Sequence, residues 1–445
     1  MFRSKYHWLI PAVLLVGALS LAVACGGEEE EGTPTPPGQT PGTPGAGGPL
    51  GTVNVLGIWG GEELSSFEAM VAPWEQETGG NVEFTGTRNI TADLTLRVEG
   101  GNPPDVAIPA EIGLFQDFAR AGDLQPLSSC PGLEEMVRSQ YPQAFLDLGT
   151  VDGTLYGFFM KADSKATVWY NPTLFDENGW EPLGADSSFS DLVGLSNQIL
   201  DSGTVAPWSI GVESAEASGW PGTDWIQQII LNESGESVYD GIIDGSIPFT
   251  DDRVKSAWEM FGEIALTPGF VVQGGGAGIN ATNFQDATYP PFETPPRAAM
   301  TYLGSFAAGF IQDQFPDAVP GSDFNFFTWP GGAVTGGANI VYAFNTNPTV
   351  CSFLEYLAGA DAQSIWIERG GFTSVNTEVD LSAYPDEVSR NVAEQLTGAE
   401  VFRFDLDDAV GGAFQQAYFQ GVTQYLANPA DLDSILQNIE ASRGQ

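Results

Sequence analysis

The sequence has few positively charged side chains. Lysine and arginine together number 15, against 58 aspartates and glutamates, which gives a formal net charge of −43 at pH 7. A surface this acidic repels nucleic acid and anionic lipid headgroups, and it disfavours anionic ligands. We therefore expect no nucleic-acid partner and a neutral or cationic ligand.

Histidine is almost absent, since His7 near the N-terminus is the single example. A body without histidine cannot form a Ser–His–Asp triad, use a histidine general base or bind zinc through histidine. We expect no cofactor and no bound metal.

The N-terminus, "MFRSKYHWLIPAVLLVGALSLAVACGGEEEE", has a short positive region and then an apolar run. This layout predicts a lipoprotein signal peptide over residues 1–24, with cleavage before Cys25 and acylation of that cysteine. An uncleaved membrane anchor is the alternative. Residues 25–52 are rich in Pro, Gly, Thr and Glu, which predicts a disordered tether. The rest of the chain is then extracytoplasmic, anchored to the outer face of the cytoplasmic membrane.

Cysteine is also scarce, with three in the chain. After lipidation of Cys25, Cys130 and Cys351 remain. In an oxidising exterior two such cysteines often form a disulfide. Two separately buried thiols are the alternative that the sequence leaves open.

Between residues 52 and 124, β-rich runs alternate with helical segments. "TVNVLGIW", "NVEFTG" and "PPDVAIPA" predict strands, and "EELSSFEAMVAPWEQETGG", "TADLTLRVEGG" and "GLFQDFARAGDL" predict helices. This alternation predicts an α/β fold with a parallel or mixed sheet. Ligands of such sheets bind beyond the carboxyl ends of the strands. The candidate ligand-binding residues there are Trp59, Glu62, Arg88 and Glu111, unless each is an unrelated exposed loop residue.

In the second half of the chain several strands and helices can be predicted, but their boundaries are less clear. "FNFFTWP" (324–330) and "ANIVYAFN" (338–345) predict strands, "PTVCSFLEYLAGADAQSIWIERGG" (348–371) predicts an amphipathic helical stretch, and "DLDSILQNIEAS" (431–442) predicts a closing helix.

Aromatic residues make up 11% of the chain, and several stand beside Gly, Pro or polar residues. In "SGWPGTDW" (218–225) we expect Trp220 to lie in a Gly/Pro loop near Asp224. An indole face suits the C–H face of a sugar ring, and a carboxylate accepts hydrogen bonds from hydroxyls. Phe306 follows a predicted strand and is also placed for stacking. Packing of either ring in the core is the alternative.

Two other patterns look like binding loops but lack residues that such loops need. "VVQGGGAGIN" (271–280) lacks the lysine of a phosphate-binding loop, and "FDLDDAVGG" (404–412) lacks the glycine and closing glutamate of a calcium loop. The enzyme alternative is a secreted glycosidase that uses two carboxylates. No catalytic signature supports it.

Several long segments in matching order carry a family resemblance. They are "MVAPWEQETGGNVEFTGTRN", "EGGNPPDVAIPA", "DGTLYGFFMKADSKATVWYNP", "SGWPGTDW", "AAMTYLGSF", "GGANIVYAF" and "ERGGFTSVN". Through them the chain resembles extracellular solute-binding proteins of bacterial sugar ABC importers, most closely the α-glucoside-binding group and distantly maltose-binding protein. The resemblance implies a type II periplasmic-binding-protein-like fold, with two hinge-linked α/β lobes and ligand in the cleft between them. Lobe one would comprise residues 53–161 and 331–372, and lobe two residues 162–330 and 373–445.

The resemblance also implies a function without chemistry. The protein would be a monomer that binds an α-glucoside such as trehalose, sucrose or maltose and delivers it to membrane ABC permease subunits. The residues facing the sugar would be Trp59, Glu62, Arg88 and Glu111 from lobe one, Trp220, Asp224, Phe306 and Gln415 from lobe two, and Gly337 and Asn339 through backbone and amide contacts.

Two of the four lysines lie together in "FFMKADSKATVWYNP". The resemblance places this run at the floor of the cleft, where Lys161 would hold carboxylates and donate to sugar hydroxyls. Lys165 would support it or lie on the surface. An exposed strand edge kept polar against pairing is the alternative for both lysines.

Overall fold

The computed structural model describes residues 49–87 and 89–443. The predicted signal peptide, Cys25 and nearly all of the predicted tether lie outside these residues, as does Arg88. Cleavage and lipidation therefore stay predictions. Within the described ranges, no helix combines the length and the apolarity needed to cross a membrane.

The strand–helix alternation predicted for the first part of the chain is confirmed. Helix α1 contains Pro73 and ends at Gly79, whose φ of 69° suits glycine and whose N–H donates to the Glu75 carbonyl. The elements are β1 (Thr52–Gly57), α1 (Gly61–Thr78), β2 (Asn81–Gly86), α2 (Ile90–Glu99), β3 (Val106–Ile108) and α3 (Ile112–Ala121).

The middle of the chain holds most of the remaining helices. Its elements are α4 (Leu133–Gln140), α5 (Gln143–Leu148), β4 (Thr150–Val151), β5 (Thr154–Leu155), β6 (Gly157–Ser164), β7 (Thr167–Tyr170), α6 (Pro172–Asn178), α7 (Phe189–Ser202), β8 (Ala206–Ser209), α8 (Trp220–Ser234), α9 (Glu236–Ile243), α10 (Asp252–Ala265), α11 (Gly276–Ala281), β9 (Ala298–Tyr302), α12 (Ala307–Gln314) and β10 (Asn325–Thr328).

The last part contains the longest strand of the described chain, β11. Its elements are β11 (Val334–Ala343), α13 (Pro348–Ala358), α14 (Ala360–Ile367), β12 (Thr373–Ser374), α15 (Glu387–Gly398), β13 (Phe402–Phe404), α16 (Leu406–Val410), α17 (Gly412–Ala427) and α18 (Leu432–Ala441). The stretch predicted as helical over 348–371 is two helices, because the backbone is extended at Gly359 (ψ 143°), between α13 and α14.

Two mixed sheets organise these elements. The larger has seven strands in the order β12-β6-β11-β3-β1-β2, with β13 paired to the start of β11. Strand β1 is parallel to β2 and β3, whereas β11 is antiparallel to β3 and β6. The smaller has four strands in the order β10-β7-β9-β8. Strands β4 and β5 form a separate hairpin.

The chain passes between the two larger sheets at two short connections. The first passage, Lys165 and Ala166, joins β6 to β7, and the second passage, residues 329–333, joins β10 to β11. Strand pairing does not define which segments move together. The division into lobes at 161/162, 330/331 and 372/373 therefore stays a prediction.

Cys130 and Cys351 form a disulfide, with their Cα atoms 5.2 Å apart. Cys351 lies in α13, and Cys130 immediately precedes the turn that leads into α4. Of the two arrangements that the sequence left open, the structure has the bridged one.

Candidate functional site

A cavity of about 870 Å³ lies beside the first passage, with Lys165 in its lining. Strands β6 and β11 line it through Lys161, Asp163 and residues 337–339. The segments after β1 and α14 line it on the side of the large sheet, and the first residue of α8 and helix α12 line it on the other. A volume of this size falls within the range of about 300–1,000 Å³ typical of small-molecule sites.

Four aromatic side chains form one wall of this cavity: Trp220, Phe284, Phe306 and Phe310. The centroid of the Trp220 ring lies 5.0 Å from that of Phe284 and 6.1 Å from that of Phe306. Phe310 in turn lies 5.9 Å from Phe284 and 5.7 Å from Phe306. Because the rings are tilted or edge-on to one another, they support each other.

Trp220 is not in a loop, and the expectation that it would be is wrong. It is the first residue of α8, followed by Pro221, which is well tolerated in the first helical turn. The preceding Gly219 has φ 115°, and a Cβ there would come within 2.0 Å of the Phe419 carbonyl oxygen. Close packing of α8 against α17 therefore requires glycine at this position and sets the direction of the indole.

Lys165 is the central charge of the site. Its Nζ lies 2.7 Å from Asp224 Oδ2 and 3.6 Å from Asp405 Oδ2. The same atom lies 4.7 Å from the ring centroid of Trp220 and 5.4 Å from that of Phe306. Burial disfavours the ammonium charge, but the carboxylates of Asp224 and Asp405 outweigh it and raise the pKa of Lys165. The raised pKa favours the charged form of Lys165, which contacts both carboxylates and aromatic rings.

The segment after β13 supplies Asp405 and brings two more acids, Asp407 and Asp408, near this charge. Burial, and next to it the charge of Asp405, raises the pKa of Asp407 to about 7. Burial also raises the pKa values of Asp405 and Asp408. Thr223 Oγ1 lies 3.2 Å from Asp407 Oδ2. Among the described residues, these acids do not form a group able to hold a metal ion.

Glutamine side chains satisfy several of these carboxylates. Gln227 Nε2 lies 3.1 Å from Asp224 Oδ1 and 3.2 Å from Asp405 Oδ1. Gln415, predicted to face the ligand, lies in α17 and donates from Nε2 to Asp408 Oδ1 at 2.6 Å. It lies behind Asp408, which lines the cavity. A direct ligand contact by Gln415 stays a prediction.

Lys161 lies on the other side of the cavity. It is buried, and its Nζ lies 2.8 Å from Glu63 Oε1 and 5.9 Å from the ring centroid of Trp366. Asp163, two residues on, is partly buried, and this desolvation raises its pKa. Both lysines of the quoted run are therefore inside the molecule, so the alternative of an exposed polar strand edge is wrong.

The residues that were predicted to face the ligand from lobe one have different surroundings in the structure. Trp59 lines the cavity but is only 1% exposed, and its ring centroid lies 4.8 Å from that of Trp366. Glu111 precedes α3; Glu111 Oε2 accepts the Ala110 N–H, and burial raises its pKa. Ala110, next to it, lines the cavity. The backbone of Glu62 is in α1, and its side chain is not among those described.

Sequence reasoning missed several cavity-lining residues. Gly337 and Asn339 were predicted and do line the cavity. The missed residues include Glu63, Asp163, Phe284, Phe310, Asp313, Trp366, Arg369, Asp405 and Asp408. For Asp405 and Asp408 a signal existed, since "FDLDDAVGG" is unusually acidic. That acidity was interpreted only in terms of a calcium loop, and not as part of a ligand site. For Phe284 and Trp366 the sequence offers no signal that separates them from core aromatics.

Comparison with known proteins assigns the chain to a family. It matches the model of the bacterial extracellular solute-binding proteins over residues 69–394. It is 35% identical over 397 residues to the osmoprotective compounds-binding protein GgtB of Synechocystis, an alignment that covers 88% of this chain and 92% of that protein. It is 30% identical over 399 residues to the alpha-glucosides-binding periplasmic protein AglE of Rhizobium meliloti, covering 86% and 85%.

Comparison with solved structures finds the same fold. The bacterial solute receptor AcbH matches with a TM-score of 0.75 at 16% identity, over 88% of this chain and 98% of that chain. The predicted two-lobed α/β fold is thereby confirmed. The relatives are binding proteins and not enzymes, which decides against the glycosidase alternative. The chain belongs to the family of bacterial extracellular solute-binding proteins.

Proposed function

We propose that the protein is the lipid-anchored substrate-binding component of a sugar ABC importer, and that it binds an α-glucoside or a related oligosaccharide in the 870 Å³ cavity. The ligand classes in the names of GgtB and AglE support this proposal. The observation that carries it is the aromatic wall of Trp220 and Phe306 beside the buried pair of Lys165 and Asp224. Flat rings suit the C–H faces of sugars, while fixed charged groups orient hydroxyls.

The charges around the cavity favour a neutral ligand. Among the described residues that line it are five acids, Glu63, Asp163, Asp313, Asp405 and Asp408, and three bases, Lys161, Lys165 and Arg369. Lys161 and Lys165 are engaged by protein carboxylates. An anionic sugar would therefore meet more repulsion than attraction, whereas hydroxyls can both donate to the acids and accept from the bases.

Binding in this proposal is coupled to closure of the two lobes. Sugar docks on one lobe, and its contacts to the other stabilise the closed state. Lys161 is the lysine that we expect to donate to a sugar hydroxyl. A micromolar dissociation constant, about −8 kcal/mol, allows capture outside the cell and release to a permease. The acylated Cys25 and the tether would keep the binding body near that permease.

A thermal-shift panel of neutral and acidic sugars tests the proposal. Trehalose, sucrose or maltose should raise the melting temperature, because a ligand of the native state stabilises it by mass action. Glucuronic acid and glucose 6-phosphate should give no shift. If no neutral glucoside changes the melting temperature, or if the acidic sugars give the largest shifts, the proposed ligand class is wrong.

A further inference from the structure

One cation of the cavity lining differs from the two lysines. Lys161 Nζ lies 2.8 Å from a carboxylate oxygen of Glu63, and Lys165 Nζ lies 2.7 Å from one of Asp224. Arg369 also lines the cavity, but among the side chains that the structure describes no carboxylate forms an ion pair with it. In a chain with 58 acidic and 15 basic residues, an arginine without an acidic partner is unexpected.

Neutral hydroxyl groups hold Arg369 in place. Its Nε donates to Ser66 Oγ at 3.1 Å, and its Nη2 donates to Ser65 Oγ at 3.3 Å. Both serines lie in α1, and Arg369 follows the end of α14, so the guanidinium is held between two helices. Its Nη1 donates to none of the described residues. Because serine hydroxyls carry no charge, they fix the direction of the guanidinium without neutralising it.

A sugar ligand needs donors as well as acceptors, since each hydroxyl both donates and accepts hydrogen bonds. The acids of the lining supply acceptors, and the ammonium groups of Lys161 and Lys165 are already paired with protein carboxylates. Of the described bases that line the cavity, Arg369 is therefore the one whose charge no protein carboxylate occupies. Its planar group presents parallel N–H bonds, which suit two neighbouring oxygens better than an ammonium does.

Arg369 and the aromatic wall lie on different sides of the cavity. Arg369 follows α14, on the side of the large sheet, whereas Trp220 and Phe306 belong to the side of α8 and α12. A ligand that stacks on the aromatic wall therefore reaches Arg369 by extending across the cavity. A second sugar unit, joined through the glucosidic bond, provides this extension.

We propose that Arg369 is a specificity-determining residue, which donates to neighbouring hydroxyls of the second unit of the ligand and so makes the site prefer a disaccharide to a monosaccharide. This inference rests on the proposed function, because it takes the ligand to be a glucoside. Stacking on the aromatic wall supplies affinity for any glucose ring. The guanidinium instead distinguishes ligands by whether a second unit presents hydroxyls to it, since a donor prepared for hydroxyls is left unpaired when they are missing.

Isothermal titration calorimetry with trehalose, sucrose, maltose and methyl α-glucoside tests the proposal. Methyl α-glucoside has a glucose ring but no second sugar unit. We expect at least one disaccharide to bind the unchanged protein about tenfold or more tightly than methyl α-glucoside. Arg369→Met should weaken binding of that disaccharide by about tenfold to a hundredfold, because hydrogen bonds from a charged donor are lost, and should change methyl α-glucoside binding by less than about twofold. Arg369→Lys keeps the charge but not the planar group, and should recover only part of the loss.

Arg390→Met is the matched control. Arg390 is another arginine that forms no ion pair with the described side chains, and its Nη1 donates to the Tyr384 carbonyl at 3.2 Å. Because it does not line the cavity, its replacement should leave both affinities unchanged. The melting temperature of each unliganded variant shows that it is folded before binding is compared.

Three results would overturn the role given to Arg369 while leaving the proposed function intact. In the first, Arg369→Met binds the disaccharide as tightly as the unchanged protein does. In the second, it loses affinity for the disaccharide and for methyl α-glucoside equally. In the third, the unchanged protein binds methyl α-glucoside as tightly as every disaccharide. If the unchanged protein binds none of these glucosides, the proposed function fails, and this inference fails with it.

Discussion

The ammonium group of Lys165 lies 2.7 Å from Asp224 Oδ2, with both side chains buried. The same ammonium lies 4.7 Å from the ring centroid of Trp220, at the start of the helix that carries Asp224. One cation that lines the proposed site therefore contacts both an indole that also lines it and a buried carboxylate that does not. Because this ion pair is buried, substitutions of Lys165, Asp224 and Trp220 can be compared for their effects on the free energy of unfolding and on sugar binding.

Replacing Lys165 should destabilise the protein strongly. Lys165→Met leaves Asp224 and Asp405 buried without their cation, which should cost about 3–5 kcal/mol in the free energy of unfolding measured with urea. The double variant Lys165→Met/Asp224→Leu should recover part of this stability but not sugar binding. Lys255→Met removes a surface pair with Asp433 and should have no measurable effect on unfolding. Equal effects of Lys165→Met and Lys255→Met would contradict the central position given to Lys165.

Two tryptophans of α8 should separate binding from packing. Trp220 is partly exposed at the cavity, whereas Trp225 is 1% exposed and packs against Trp208 and Trp329. Trp220→Ala should abolish the sugar-induced thermal shift and leave the unliganded melting temperature nearly unchanged. Trp225→Ala should lower the free energy of unfolding by about 3–5 kcal/mol. A large loss of unliganded stability in Trp220→Ala would show that its ring serves packing instead.

The pKa of Asp407 predicts a pH dependence of stability. Burial raises this pKa from 3.8 to about 7. Between these values the folded protein keeps a proton that the unfolded chain has lost, so folding becomes less favourable as pH rises through this window. Asp407→Asn stays neutral at every pH. It should therefore change stability little at pH 4 and add on the order of 2–4 kcal/mol at pH 8, measured by urea unfolding.

Asp191 provides a control of opposite sign for the pH measurement. Its carboxylate accepts from the backbone and hydroxyl of Ser188, and these hydrogen bonds lower its pKa. The stability that these hydrogen bonds contribute is fully present above the pKa that Asp191 has in the unfolded chain. It is lost as the pH falls through the lower pKa of the folded protein. Asp191→Asn should thus be most destabilising at neutral pH and least so in acid. If the free energy of unfolding that Asp407→Asn adds does not grow with pH, Asp407 does not keep a proton in the folded protein.

The disulfide should stabilise the fold without affecting binding. It closes a loop with a sequence separation of 221 residues, for which the chain-entropy model gives about 5 kcal/mol. The double variant Cys130→Ala/Cys351→Ala should melt at a lower temperature and be insensitive to reductant, while the unchanged protein should lose stability when reductant is added. Sugar affinity should be equal in both, since neither cysteine lines the cavity. Weaker binding in the reduced protein would show coupling between the bridge and the cleft.

The elements over residues 52–121 could be predicted because their signals are local. The spacing of apolar residues in α1 and its end at Gly79 depend on neighbours within one or two helical turns. The break between α13 and α14 was not predicted, because apolar periodicity continues across Gly359 and only the backbone conformation there separates the helices. The placement of Trp220 in a loop failed for a related reason, since Pro and Gly are also compatible with the first turn of a helix.

The sequence by itself determined the acidic character of the protein, the absence of histidine chemistry, the α/β alternation and the family. Each of these depends on composition, on local periodicity or on the order of the family-like segments along the chain. Only the tertiary structure decided that Lys165 binds Asp224 and Asp405, that Lys161 binds Glu63, and that Gln228 donates to the Ala333 carbonyl in the second passage. These partners lie from 59 to 240 positions apart in the chain, and packing alone brings them within hydrogen-bonding or ion-pair distance. The two lysines that stand four positions apart in the sequence therefore have separate partners on different sides of one cavity.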